Sequence, residues 1–123
     1  MTTYLTAFNN LVIKFNDELI QTFPEEKDFK AYKLAIEVIR KNNAKMVCNM
    51  FKVYTLNYRE KIFAKDETFF LNNDYDDIVN TKDEGIVAII NKLKMYWSTL
   101  SSDNQTKIWE YLNTLLKLAD LVN

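Results

Sequence analysis

Apolar residues recur at helical spacing along almost the whole chain. Tyr4, Leu5, Phe8, Leu11, Val12, Phe15 and Leu19 form a first stripe, with Thr2 or Thr3 as the cap. A break follows at Thr22-Phe23-Pro24-Glu25: Thr22 is placed to cap a second helix and Pro24 to stand in its first turn, where a missing N–H is harmless. That helix turns Phe29, Tyr32, Ala35, Ile36 and Ile39 inward. Asn42-Asn43 ends it, and Asn43 caps a third helix whose stripe runs through Val47, Met50, Phe51, Tyr54, Tyr58 and Ile62.

Between Asp66 and Asp83 the periodicity fails. Phe69-Phe70-Leu71 forms an apolar knot ahead of the polar run Asn72 to Asp77. The helical period returns with Ile86, Ile89, Ile90, Leu93, Trp97 and Leu100. Ser101-Ser102-Asp103 is a cap cluster, Ser102 and Gln105 have capping-box spacing, and the last helix carries Ile108, Leu112, Leu115, Ala119 and Val122. The pattern predicts an all-α single domain over residues 1–123, with about five helices in an antiparallel, bundle-like arrangement. One long loop is expected around residues 66–83. The expected core includes Phe8, Leu11, Phe15, Tyr32, Ile36, Phe51, Tyr54, Ile90, Leu93, Trp97, Leu112, Leu115 and Ala119.

Composition strengthens this reading. With one Gly and one Pro in 123 residues, the chain lacks the turn residues that sandwiches and barrels need. The absence of His removes the Ser-His-Asp triad and His-ligated zinc or haem. A single Cys removes intrachain disulfides and thiolate clusters, and points to a reducing, intracellular compartment. Cys48, beside the third stripe and without a His to act as base, reads as a buried thiol. One Gly leaves no glycine-rich phosphate loop. The sequence therefore predicts no enzyme activity and no cofactor. Met-Thr-Thr-Tyr has no basic n-region, and the longest aliphatic run, Ile86 to Ile90, is too short for a bilayer. Neither a secretory signal nor a membrane partner is expected.

Charge is nearly balanced at −1 but unevenly spread. Residues 25–65 carry ten Lys/Arg against five Asp/Glu, and residues 66–84 carry one Lys against seven acids. Lys30, Lys33, Arg40, Lys41, Lys45 and Lys52, continued by Arg59, Lys61 and Lys65, are candidate nucleic-acid contacts, because phosphates need only positive charge. Against this, Lys outnumbers Arg fourteen to two, and Arg is the better reader of phosphates and base edges. The acidic run offers oxygens at Asn72, Asp74, Asp76, Asn80 and Asp83, the alternation of a helix–loop–helix calcium site. Asp77 stands where that loop needs Gly and Asp83 where it needs Glu, so no metal site is expected.

Tyr96, Trp109 and Leu116 are the candidate partner contacts. Tyr96 and Trp109 flank the inward stripes, and Leu116, Leu118 and Leu121 widen the last one. The last helix is expected to be enclosed by the others, with a homodimer interface on its outer edge as the alternative. The leading functional expectation is a non-catalytic protein-interaction module; the alternative is a nucleic-acid-associated protein using the basic segment 27–65.

The stretches Phe23 to Tyr32, Lys65 to Tyr75, Lys92 to Trp97 and Ile108 to Leu112 resemble small helical proteins of the giant nucleocytoplasmic DNA viruses of algae and protists. The fourteen Asn, fourteen Lys and ten Ile fit the AT-rich coding common in such viruses. The resemblance transfers no site residue. It implies an intracellular viral protein, in the virus factory or packaged into the virion, acting on a viral or host protein.

Overall fold

The structure, a computed structural model, describes residues 3–71 and 86–122. Those residues form seven α-helices and no strand: α1 Tyr4–Thr22, α2 Asp28–Asn42, α3 Met46–Thr55, α4 Arg59–Phe63, α5 Thr68–Leu71, α6 Ile86–Tyr96 and α7 Ser102–Leu121. A single 3-10 turn, Trp97–Thr99, links α6 towards α7. The all-helical reading holds. The two helices beyond the expected five come from a break in the third stripe and from the aromatic knot.

Thr3 caps α1, its hydroxyl accepting from the Thr6 N–H at 3.0 Å. Thr22 is the last residue of α1 and not the cap of α2: its hydroxyl donates to the Glu18 carbonyl at 2.8 Å. Pro24 stands in the turn before α2. Two buried asparagines fix how α2 lies on α1. Asn16 donates to the Phe29 carbonyl at 2.7 Å, where α2 begins, and Asn9 donates to the Ala44 carbonyl at 3.0 Å, just beyond its end. Two such pins, one helical heptad apart, make α2 antiparallel to α1. α7 is antiparallel to α1 as well: Leu11 lies near Thr114, Phe15 stacks on Tyr111 at 4.9 Å, and Leu19 lies near Ile108.

Asn43 forms a short turn before α3, accepting from the Lys45 N–H at 3.1 Å, and does not sit at the cap itself. The expected continuous third helix is broken after Thr55. The buried Thr55 hydroxyl donates back to the Phe51 carbonyl at 2.7 Å, a bond that bends helices. The Tyr58 N–H then reaches the Thr55 carbonyl in a turn before α4. α4 ends in a paired closure: Asp66 N–H to Lys61 carbonyl at 2.8 Å and Lys65 N–H to Ile62 carbonyl at 3.1 Å. Lys65 takes the left-handed position, φ 55°, that glycine usually fills. Asp66 next accepts from both the N–H and the hydroxyl of Thr68, starting α5. Residues 66–71 are thus a capped helical turn where a loop is expected; the rest of that expected loop lies outside the described residues.

The α7 cap is Ser101, one residue before the expected one, accepting from the Asn104 N–H at 3.2 Å; Gln105 instead donates to the Trp97 carbonyl at 2.9 Å. All seven helices contribute to one continuous core. Phe8, Phe15, Ile36, Phe51, Ile90, Leu93, Trp97, Leu112, Leu115 and Ala119 are buried as expected. Leu11, Tyr32 and Tyr54 are half-buried at its margin, and Ala35, expected inward, is exposed.

Candidate functional site

Of the three expected partner contacts, the structure withdraws two from solvent. Trp109 retains 5% of its exposure and Leu116 none. α7 packs on α1, α3 and α4, and α5 brings two rings against Trp109, so the surplus width of the last stripe is absorbed inside one chain. Phe70 stacks on Trp97 at 4.0 Å and meets Trp109 edge-on at 5.0 Å; the two tryptophans are 5.4 Å apart. Offset and edge-to-face pairs of this kind each add about 0.5–1.5 kcal/mol beyond area burial. Beside this cluster Lys94, itself buried, sets its ammonium 5.3 Å from the Phe69 ring, 5.7 Å from Tyr54 and 5.8 Å from Tyr58. The charge faces ring π-surfaces, an arrangement that ties α3, α5 and α6 together.

Tyr96 is half-buried, and its hydroxyl donates to Glu26 at 2.5 Å. Lys92 completes the group, 3.4 Å from the same carboxylate and 2.6 Å from Asp28. Phe23 stacks on the Tyr96 ring at 4.8 Å, and an open cleft beside it is lined by Pro24, Glu25 and Glu26. Here titratable groups converge, so the direction of each shift matters. The hydrogen bond to Asp28 raises the Lys92 ammonium above the usual lysine range, and Lys92 in turn holds the Asp28 carboxyl below its own. The bond to Glu26 raises the Tyr96 phenol. Every shift favours the state that already makes the contact. A base or nucleophile working near neutral pH needs Lys or Tyr lowered. The group is suited to clamping the start of α2 to the end of α6.

The basic segment is divided among different surroundings. Lys33 pairs with Asp17 at 2.9 Å, Lys52 donates to the Val122 carbonyl at 2.7 Å, and Arg59 grips Asp120 through both guanidinium nitrogens at 2.9 and 2.7 Å. Arg40 is half-buried, while Lys30, Lys41 and Lys45 are exposed. Tyr54 and Tyr58, aromatic rings within the basic segment, are turned to the core margin and Lys94, away from any stacking on bases. Cys48 is buried, and loss of hydration pushes its thiol up, away from the reactive thiolate. The candidate calcium ligands Asn72 to Asp83 lie outside the described residues, and among the described residues no three acidic, His or Cys side chains gather to hold a metal. None of the described helices is long and apolar enough to cross a membrane.

Exposed apolar side chains occur on several helices, among them Tyr4, Phe63, Leu71, Met95 and Leu121, and on α2 and α3 they stand in rows. On α2, Leu34 is 65% exposed and Val38 58%; on α3, Val53 is 77% and Leu56 68% exposed, with Met46 one turn-pair earlier on the same side. The sequence reading passed these residues over because aromatic side chains drew the partner assignment. Their spacing, three, four or seven apart, was the available signal. No family model, curated protein or solved structure matches the chain.

Proposed function

We propose that the protein is a non-catalytic protein-interaction module that engages its partner through the outer faces of α2 and α3. One observation carries the reading: on α2 and α3 the exposed aliphatic side chains stand in rows at helical spacing. Scattered apolar residues are normal on any surface, whereas aligned rows make the contiguous patches that mark interaction sites. The clamp at Glu26 supports the non-catalytic part, since Asp28 is shifted down and Lys92 and Tyr96 up, each towards the state that makes its contact. The viral setting, in the virus factory or the virion with a viral or host protein as partner, belongs to this proposal on the resemblance of the quoted stretches alone.

Photo-cross-linking tests the reading. A benzophenone amino acid at Leu34 or Val53, in cells where the protein acts, is expected to give a discrete adduct with another protein, absent when the probe replaces Thr106 on the solvent side of α7. Adducts from neither face would end the proposal.

A further inference from the structure

α2 has two apolar sides. Phe29 and Ile36 are buried, with Tyr32 and Ile39 beside them at the core margin. On the other side Ala31, Leu34, Ala35 and Val38 stand at i, i+3, i+4 and i+7, and all four are exposed. An apolar side of a surface helix is ordinarily the covered one, so a helix with two such sides has room for two coverings. The outer side is also shaped for a helix. Ala31 and Ala35 form one ridge four residues apart, and Leu34 and Val38 form the next. The first is low and the second tall. The step between them is the groove that a ridge of another helix fills.

The charges around this step select the occupant. Lys30 and Lys41 border the tall ridge and Lys27 stands at its N-terminal end; all three are exposed, and none forms an ion pair among the described residues. Of the acids of α2, Asp28 is held by Lys92, and half-buried Glu37 stands one turn from both Lys33 and Lys41, leaving Lys27 and Lys30 without a further acid of α2 beside them. A second copy of this face, related by a two-fold axis, would set lysines against lysines. The face also lacks the aromatic anchors of helices that lie in a membrane surface.

We infer that the outer face of α2 docks an acidic amphipathic helix of a partner protein, its apolar stripe seated on the step and its carboxylates meeting Lys27, Lys30 and Lys41. This rests on the interaction-module reading and names the chemistry of the partner.

The test is a fluorescence-anisotropy titration of the full chain against two synthetic helical peptides that share one leucine stripe, one flanked by Glu and the other by Lys. The Glu-flanked peptide is expected to bind saturably, about tenfold or more tighter than its twin. The Leu34→Asp/Val38→Asp variant is expected to lose that binding with its helical circular dichroism and melting temperature unchanged, since both residues are outside the core. Lys30→Glu/Lys41→Glu is expected to reverse the preference. Equal binding of both peptides, no saturable binding of either, or full binding by the Leu34→Asp/Val38→Asp variant would overturn the inference. So would a dimer that Leu34→Asp dissociates in sedimentation, or flotation of the chain with phosphatidylserine vesicles. The wider reading fails separately: an adduct from the α3 probe at Val53, with no peptide bound at α2, leaves an interaction module that docks its partner elsewhere.

Discussion

α2 and α7 pose the same puzzle and resolve it in opposite ways. Each has more apolar surface than one covered side requires. On α7 the excess, Trp109 and Leu116, is buried, because α1, α3, α4 and α5 approach from several directions. On α2 the excess, Leu34 and Val38, faces solvent, because the neighbouring α1, α3 and α6 reach only the side that bears Phe29 and Ile36. Apolar width on a helix therefore does not by itself report how much of it the same chain covers.

The contrast can be broken most forcefully at α7. Trp109→Ala is expected to cost about 3–5 kcal/mol in urea unfolding, as for other large core truncations, and Leu116→Ala about 2–5 kcal/mol. A loss under about 0.5 kcal/mol, the range of ordinary surface changes, would put those side chains outside the core. The covered side of α2 is probed at Asn16. Asn16→Ala leaves the Phe29 carbonyl without its donor, and a loss of about 1–3 kcal/mol is expected.

Acid tests the two helices together. Arg59 holds Asp120 of α7 below the usual carboxylate range, and Lys92 does the same for Asp28 of α2. A lowered carboxyl contributes stability above its unfolded pKa and loses it as pH falls through the folded one. The chain has no His, the side chain that ordinarily titrates between about pH 5 and 8. The urea midpoint is thus expected to stay level across neutral pH and to fall below about pH 4. Arg59→Ala and Lys92→Ala should each make that acid limb shallower; an unchanged limb in both would separate the pairs from stability. The smallest effect belongs to the outer side of α2, where Leu34→Ala and Val38→Ala are each expected to shift stability by less than about 0.5 kcal/mol. A larger loss would place that side against the body of the protein.

The long stripes made α1, α2, α6 and α7 legible, because their periods persist for several turns. Thr3 and the serines before α7 were legible through cap chemistry. The α5 turn was not. Phe69 and Phe70 are adjacent and have no period, and the left-handed closure that announces a new element is carried by Lys65, where only Gly would have signalled it. With α5 unread, nothing indicated which rings would cover Trp109, so a partner contact stayed open beside core packing for a residue at the edge of its stripe. The clamp at Tyr96 was equally hidden, since Glu26 and Lys92 are far apart in sequence and meet only once α2 crosses α6. The outer row of α2 was written in the sequence at the right spacing. Its covered side was legible as well: Phe29, Tyr32, Ile36 and Ile39 turn inward as expected, and the two amide pins from α1 hold them there.

The aromatic cluster also makes the molecule its own optical probe. The chain has two tryptophans, and both lie in one water-excluded site 5.4 Å apart, with the Trp97 indole nitrogen buried and without a hydrogen-bond partner. Their emission is expected to come from one place, blue-shifted in the folded chain and red-shifted on unfolding. Occupancy of the α2 face, on a helix that carries neither indole, leaves the spectrum unchanged. One cuvette is thus expected to separate two readouts: colour reports the packing of α5, α6 and α7, and a label on an added peptide tests the proposed docking.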